Sequence, residues 1–334
     1  MQASSETIPA QSVSIPTPAG MLAALYWTRS TQPSRTRPCY LALHGWLDNA
    51  ESFHRIAPLL AEDADVLAID LPGHGLSDHR PPGSSYHVVD NVQTLDVVVD
   101  WLTDAASSGF PFSCAQPEDD NEHAAPARPL YLLGHSLGGV ISLTYAAVAA
   151  ERLSGLICIE ALGPLSGPAE ETSSQLRKYL MKERKRRSSG SERPVYSSIE
   201  AVCKARMLGF GGLSESAAEA LVTRALKPCD EGWTWRSDPR LRLPSSQRMT
   251  EAQVIDLLKN QTLPTLLIAT SKGFISADES SNARLRVLRE TLETGPGFLQ
   301  VVTVEGNHHG HLDGDYSAMA LHIQDFLKHS RSIT

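Results

Sequence analysis

Residues 134–139 of this 334-residue chain read Gly-His-Ser-Leu-Gly-Gly, and no other stretch constrains the fold as much. They fit the Gly-x-Ser-x-Gly pattern of a nucleophile elbow, a tight turn between a strand and a helix that makes a serine hydroxyl project. The flanks agree, because the apolar residues 130–133 predict a strand and residues 140–150 predict a helix. Glycines on both sides of Ser136 let neighbouring backbones approach closely. We therefore expect a strained turn at Ser136 rather than an ordinary glycine-rich loop.

The rest of the sequence alternates between strand patterns and helix patterns. A hairpin is predicted over residues 13–27, and strands and helices then follow one another. The predicted strands are 38–44, 65–70, 130–133, 156–159, 265–269 and 299–304, and the predicted helices are 51–61, 88–102, 140–150, 280–292 and 316–326. This alternation predicts an α/β fold with a mostly parallel sheet flanked by helices on both faces.

Two stretches interrupt the alternation. Residues 107–128 are rich in proline and acidic residues, which is typical of a solvated surface loop. Residues 163–255 separate two predicted strands and contain a helical pattern, so we interpret them as a helical cap inserted after the sixth strand. The predicted α/β core then consists of residues 1–162 and 256–334.

A basic run lies within the predicted cap. Its seven cations are opposed only by Glu183, and they are Arg177, Lys178, Lys182, Arg184, Lys185, Arg186 and Arg187. A solvated helix face is the simpler interpretation. Attraction of an anionic substrate or a membrane surface is the alternative.

Composition argues against several classes of function. The net charge of −8 disfavours general nucleic-acid binding, which needs a basic surface. The five cysteines are odd in number and widely spaced, which indicates a reducing compartment without a disulfide framework. No signal pattern opens the chain and no apolar run approaches roughly 18 residues, so we expect a cytoplasmic protein without stable membrane insertion. No nucleotide-binding motif indicates a cofactor. The oligomeric state is not indicated.

Two further motifs carry a resemblance to known proteins. Residues 44–50 read His-Gly-Trp-Leu-Asp-Asn-Ala, with Ser-Phe at 52–53, and residues 70–77 read Asp-Leu-Pro-Gly-His-Gly-Leu-Ser. With the elbow, they resemble the α/β-hydrolase superfamily and, more narrowly, the serine hydrolase-like proteins. The similarity runs from Ser14 onward and leaves out the loop at 107–128. It implies an α/β-hydrolase fold with a serine nucleophile and does not indicate a substrate.

The resemblance implies roles for residues at matching positions. Ser136 would be the nucleophile, activated by an imidazole that takes its proton. The backbone N–H groups of Leu137 and Trp46 lie at the two positions that the family uses for its oxyanion hole. The Trp46 side chain would line the substrate pocket. His44 and His135 are assigned to the pocket as well, although such motif histidines more often brace turns.

The catalytic base is expected after the last strand, where Gly306 is followed by Asn-His-His-Gly-His. By position, His308 matches the family's catalytic histidine. His309 is the nearest alternative, and His311 is expected to be structural. Three close histidines also suggest a metal site, but no other ligand cluster accompanies them in the sequence and no helical His-x-x-x-His pattern is present. We therefore expect no metal.

The acid departs from the common family pattern. Most relatives carry it after the seventh strand, where this chain has Gly273, and Asp278 is five residues further along. Some α/β-hydrolases supply it from the end of the sixth strand, where this chain has Glu160. Because a carboxylate that ends an apolar strand needs a partner, we favour Glu160 over Asp278. The alternative partner for Glu160 is a cap arginine, Arg236 or Arg242.

These residues together predict a serine hydrolase. A carboxylesterase that acts on a small-molecule ester through an acyl-enzyme is favoured. A thioesterase or a lactonase would use the same triad, so the sequence does not separate them. A different class, a non-catalytic ligand-binding protein on the same scaffold, also stays open, because the acid is displaced. Dehalogenase and epoxide hydrolase chemistry are disfavoured, since both use an aspartate in place of Ser136.

Overall fold

An eight-stranded sheet forms the centre of the computed structural model, which describes residues 8–31, 36–103, 128–188, 193–209, 211–275 and 279–333. Its spatial strand order is β1-β2-β4-β3-β5-β6-β10-β11, and a second sheet has the order β7-β9-β8. The strands, in chain order, are β1 Gln11–Thr17, β2 Gly20–Trp27, β3 Cys39–Leu43, β4 Asp65–Ile69, β5 Leu130–His135, β6 Gly155–Ile159, β7 Val195–Tyr196, β8 Leu226–Cys229, β9 Gly232–Trp235, β10 Thr265–Thr270 and β11 Leu299–Val304.

The large sheet is parallel except at one edge. The hairpin of β1 and β2 is antiparallel, and β2 also pairs antiparallel with β4. All other neighbours, from β4 through β3, β5, β6 and β10 to β11, are parallel. Strands β3 to β6 are buried along their whole length, because helices cover both faces. The predicted α/β fold class is confirmed.

The large sheet separates two apolar cores, and helices cover one core on each face. Leu95, Ile141 and Leu288 belong to one core, and Phe53 and Phe326 belong to the other. The helices are α1 Ala57–Leu60, α2 Val88–Thr103, α3 Leu137–Ala146, α4 Thr172–Ser188, α5 Ile199–Met207, α6 Glu215–Ala225, α7 Glu251–Lys259, α8 Glu279–Thr294, α9 Gly310–Asp313 and α10 Tyr316–Ile333. None of these described helices combines the length and apolar character needed to span a membrane.

Three predicted helices have different bounds in the structure. The helix predicted over residues 140–150 is α3, Leu137–Ala146, which begins and ends earlier. The predicted helix 51–61 is divided into a 3₁₀ turn, Ala50–Phe53, and the short helix α1. Pro58 lies in the first turn of α1, where its missing N–H is tolerated, but it would break a helix continuing from residue 51. Helix α10 continues past the predicted end at residue 326, and Leu327 is still buried there.

The inserted segment, residues 163–255, is more varied than the predicted helical cap. It contains α4, α5 and α6, but also the three-stranded sheet. Its predicted end at residue 255 falls inside α7. Helices α5 and α6 share a small core around Val202 and Val222, whereas α4, which carries the basic run, has no buried residue. The predicted loop at 107–128 lies outside the described residues, except for Arg128.

A buried ion pair fastens the inserted segment to the sheet. Asp70 follows β4 and is fully buried. Its carboxylate accepts hydrogen bonds from the backbone N–H groups of Ala50 and Leu76, both at 2.7 Å. Arg224 of α6, itself buried, completes the arrangement with its Nε atom 2.8 Å from Asp70 Oδ2. The carboxylate therefore needs Arg224 to balance its charge inside the protein.

We expect Arg224→Met to lower the free energy of unfolding by about 3–5 kcal/mol, because it leaves the Asp70 carboxylate buried without its cation. Chemical denaturation at pH 7 measures this loss. The matched control is Arg177→Met on the exposed surface of α4, which should change stability by less than about 0.5 kcal/mol. An equal, small loss in both variants would contradict the role given to Arg224.

Candidate active site

The turn around Ser136 has the strained geometry of a nucleophile elbow. β5 ends at His135 and α3 begins at Leu137, which leaves Ser136 between them with φ 50° and ψ −115°. A Cβ added to Gly138 would lie 2.0 Å from the carbonyl oxygen of Leu43, and one added to Gly134 would lie 2.4 Å from backbone atoms of the same turn. Only glycine fits at these two positions, as the sequence pattern predicts.

Glu160 is held at the end of the neighbouring strand. The N–H of Ser136 donates to the carbonyl oxygen of Ile159, so the backbones of Ser136 and Glu160 lie side by side where β5 and β6 end. Glu160 has a positive φ of 53°, a conformation that a side-chain-bearing residue rarely adopts. Its buried Oε1 accepts hydrogen bonds from Thr270 N at 2.7 Å and Thr270 Oγ1 at 3.1 Å, and its Oε2 accepts one from Phe274 N at 2.7 Å.

His308 completes the set of partners of this carboxylate. Its Nδ1 lies 3.3 Å from Glu160 Oε2. Burial raises the pKa of Glu160, but the hydrogen bonds from His308, Thr270 and Phe274 outweigh burial, so that the pKa is lowered overall. Since an ionised carboxylate only accepts hydrogen bonds, Nδ1 of His308 carries the proton that it donates. In the neutral ring, the lone pair therefore lies on Nε2. The contact with Glu160 therefore fixes the orientation of the His308 ring.

Gly273 leaves space for the Glu160 carboxylate. A Cβ added to Gly273 would lie 2.2 Å from both carboxylate oxygens of Glu160. The Glu160 carboxylate therefore occupies the space that a side chain at position 273 would fill. Asp278, the alternative acid, lies outside the described residues. The alternative partner Arg236 instead donates from Nε to the carbonyl oxygen of Leu226.

The alternative base His309 has a different partner. Its Nε2 lies 3.3 Å from Asp48 Oδ2, in the loop that follows β3. His311 is fully buried, with its Nε2 2.8 Å from Ser52 Oγ. Of the three histidines, the structure brings His308 to Glu160.

The loop after β3 carries the predicted oxyanion residue Trp46. The Trp46 side chain is 43% exposed, and its Nε1 donates to the carbonyl oxygen of Leu241 in the inserted segment at 2.8 Å. In the described part of the chain, three non-glycine residues have a positive φ, namely Leu47, Ser136 and Glu160. All three lie in the loops that meet here, and backbone strain of this kind is concentrated at functional sites.

His44 and His135, which the sequence assigned to the substrate pocket, are both fully buried, and their rings bond to backbone atoms. His44 accepts a hydrogen bond at Nε2 from the N–H of Leu71 and donates from Nδ1 to the carbonyl oxygen of Gly45. Burial lowers the pKa of His44 to about 4, so it is neutral and braces the loop that carries Trp46. His135 Nε2 lies 2.9 Å from the carbonyl oxygen of His308.

Sequence reasoning missed two residues that contact the site. Thr270 donates two hydrogen bonds to Glu160, and Phe274 donates one from its backbone. The half-exposed ring of Phe274 also packs on His308, with 4.5 Å between the ring centroids. The glycine at position 273 was the available signal, because a missing side chain there implies that another group fills the space.

Comparisons with known proteins show which proteins this chain is similar to. A family model described as alpha/beta hydrolase fold matches residues 41–192. A Drosophila melanogaster protein named "Probable serine hydrolase" is 30% identical over 325 residues, with 94% of this chain and 87% of that protein covered. A Danio rerio serine hydrolase-like protein is 27% identical, with the same coverage of 94% and 87%.

Solved structures give the same result. The crystal structure of hypothetical protein PA1622 from Pseudomonas aeruginosa PAO1 is 33% identical, with a TM-score of 0.74, and covers 92% of this chain and 95% of that one. A thioesterase domain from the curacin biosynthetic pathway has a TM-score of 0.70 at 20% identity, covers 95% of this chain and 99% of that one, and supports the fold alone.

We expect Glu160→Gln to destabilise the protein in a pH-dependent manner. A glutamine amide must point an N–H₂ group at one of the backbone donors of Thr270 or Phe274, whereas the carboxylate accepts from both. Because the folded-state pKa lies below the ordinary 4.5, the advantage of wild type is complete above about pH 5 and is lost as the pH falls through the folded pKa. Denaturation curves between pH 3 and 7 test this. A stability difference that stays constant over this range would contradict it.

We expect Gly273→Ala to displace the Glu160 carboxylate and to slow the reaction of Ser136 with a fluorophosphonate probe by about 100-fold, the usual effect of a misplacement near 1 Å. The rate constant of labelling is the measurement. Gly167→Ala is the matched control, since its added Cβ would meet nothing closer than the Arg248 side chain at 3.4 Å. Labelling of Gly273→Ala at the wild-type rate would show that Glu160 does not orient the base.

Proposed function

This chain belongs to the α/β-hydrolase superfamily, among the serine hydrolase-like proteins, and we propose that it is a carboxylesterase that works through an acyl-enzyme. One observation carries the proposal. A buried, ionised Glu160 accepts a hydrogen bond from His308 Nδ1, which directs the lone pair of the base to Nε2, and the strained Ser136 follows the strand beside Glu160. A catalytic triad needs these three functions from its members.

Each residue then has one role. Ser136 Oγ bonds to the ester carbonyl carbon while its proton passes to His308 Nε2. His308 returns that proton to the alcohol oxygen as the C–O bond breaks, and the alcohol leaves. Water then attacks the acyl carbon and gives a proton to His308, which passes it to Ser136 Oγ as the acyl–Oγ bond breaks and the acid leaves. Glu160 keeps its charge throughout and stabilises the imidazolium.

The negative oxygen of the tetrahedral intermediate needs hydrogen-bond donors in fixed positions. We assign this role to the backbone N–H groups of Leu137 and Trp46. Leu137 is the first residue of α3, so its N–H is not used within the helix and lies at the positive end of the helix dipole. The positive φ of Leu47 and the bond from Trp46 Nε1 to Leu241 support a fixed loop on the other side.

We assign the inserted segment, residues 163–255, the role of a cap over this site. Its contacts with the loop after β3 support this role. Trp46 bonds to Leu241, Asn49 Nδ2 donates to the carbonyl oxygen of Leu221 at 2.8 Å, and the Asp48 carboxylate pairs with Arg206. Exposed Trp46 and Phe274 are the apolar side chains that we expect an ester to meet first.

The comparisons also support ester chemistry. A protein named pimeloyl-[acyl-carrier protein] methyl ester esterase, from Aeromonas salmonicida, is 31% identical over 122 residues, which are 36% of this chain. In the described residues the cysteines Cys39, Cys158, Cys203 and Cys229 are free thiols, which fits the cytoplasmic location proposed from the sequence.

The test is hydrolysis of p-nitrophenyl esters from acetate to decanoate, with thioesters and lactones assayed in parallel. We expect ester turnover that Ser136→Ala reduces by at least about 10⁴-fold, and Glu160→Gln by about 10²–10⁴-fold. The matched control is Ser142→Ala on the same helix, because the buried Ser142 hydroxyl has no hydrogen-bond partner among the described residues.

Three results would contradict the proposal in different ways. Turnover confined to thioesters or lactones would change the substrate class and leave the triad in place. Fluorophosphonate labelling of Ser136 without turnover of any of these substrates would indicate a hydrolase for a different bond. A folded wild-type protein that neither turns over an ester nor reacts with the probe would indicate a ligand-binding protein on this scaffold.

A further inference from the structure

A second group of ionisable side chains lies behind His308. Asp48, His135 and His309 are each no more than 2% exposed, and they come from the loop after β3, the end of β5 and the loop after β11. Asp48 Oδ2 is 3.3 Å from His309 Nε2 and 3.8 Å from His135 Nδ1. One ligand atom from each of the three residues lies within 4.8 Å of the other two. The proposed triad uses none of these side chains.

The hydrogen bond of His135 fixes its tautomer. Its Nε2 lies 2.9 Å from the carbonyl oxygen of His308, and a carbonyl oxygen only accepts, so Nε2 carries the proton. Nδ1 of the neutral ring therefore presents a lone pair.

This lone pair faces another acceptor. Among the described residues, His135 Nδ1 is buried without a hydrogen-bond partner, and Asp48 Oδ2, which is also buried, contacts His309 Nε2 at 3.3 Å. Arg206 of α5 compensates only the other carboxylate oxygen, with its Nη2 2.6 Å from Oδ1. Two buried acceptors that face each other are unfavourable, and a cation between them removes that cost.

The ligand atoms select the class of cation. We propose that Asp48 Oδ2, His135 Nδ1 and His309 Nε2 form a binding site for one divalent transition metal ion of the Zn²⁺ type. Two imidazoles and one carboxylate suit Zn²⁺ and Co²⁺, whereas Mg²⁺ and Ca²⁺ prefer oxygen ligands. Ligand atoms around tetrahedral Zn²⁺ are about 3.4 Å apart, given bonds of 2.0–2.2 Å. The separations of 3.3 and 3.8 Å are close to that spacing.

The surroundings of His135 fit the same role. Histidines that bind metals usually donate their other N–H to a carbonyl or a carboxylate, which fixes the ring. Here that acceptor is the backbone oxygen of His308. An ion at this site would join the loop that carries Trp46, the residue before Ser136, and the residue after His308. Because the ligands are buried, the ion stabilises these loops and does not reach the substrate.

Metal binding to the full chain tests the proposal. Protein freed of metal with a chelator is titrated with Co²⁺, followed by visible absorption, and then with Zn²⁺, followed by elemental analysis after desalting. We expect one ion per chain, strong absorption bands of four-coordinate Co²⁺, and a higher melting temperature with Zn²⁺, since the unfolded chain lacks the site. Wild-type protein that retains no stoichiometric metal and has only the spectrum of hydrated Co²⁺ would overturn the proposal.

Variants locate the ion. Asp48→Asn and His309→Gln should each raise the Kd for Zn²⁺ more than about 10-fold. Loss of a group that only hydrogen-bonds to a metal ligand already raises the Kd by about 10-fold or more. His322→Gln, on α10 and away from the cluster, is the matched control and should bind as wild type does. Circular dichroism identifies a variant that has not folded. If neither variant folds, the Co²⁺ spectrum of the wild-type protein tests the proposal by itself. Stoichiometric binding retained by both folded ligand variants would place the metal elsewhere and overturn the proposal.

Discussion

The site depends on the hydrogen bonds that the buried Glu160 carboxylate accepts. It accepts hydrogen bonds from Thr270 and Phe274 as well as from His308, so the loops after β6, β10 and β11 meet at one charge. An ionised group in such a position is stable only while each of these donors is present. Two other features belong to this arrangement. The positive φ of Glu160 directs the carboxylate, and the glycine at position 273 leaves space for it.

The sheet order makes this meeting possible. β5, β6, β10 and β11 are neighbours and run parallel, so their carboxyl ends lie at the same edge. Ser136, Glu160 and Thr270 stand at or beside those ends, and His308 follows in the loop after β11. Ligand sites of open parallel sheets commonly lie at this edge, because the loops there converge while the strands stay rigid.

The loop after β3 connects the sheet to the inserted segment through polar contacts. The Asp48 carboxylate accepts a hydrogen bond from Arg206. Asn49 donates one to the carbonyl oxygen of Leu221, and Trp46 donates one to the carbonyl oxygen of Leu241. The same loop also contacts the histidines after β11 through Asp48. Contacts on both sides hold this loop in one conformation, which suits a loop proposed to present an oxyanion donor. Helix α4, by contrast, buries no side chain and leaves its basic run in solvent.

The sequence by itself determined the local features. Periodicity predicted the strands and most helices, and the glycines around Ser136 predicted the elbow, because both depend on residues close together in the chain. Tertiary structure decided which of the consecutive histidines faces Glu160. Neighbouring residues in a loop point in different directions, and their spacing in the sequence does not indicate which direction each side chain takes. It also placed His44 and His135 inside the protein and brought Asp48 to His309, because such contacts join segments that are distant in sequence. Burial and proximity of this kind are properties of the packed sheet and its loops.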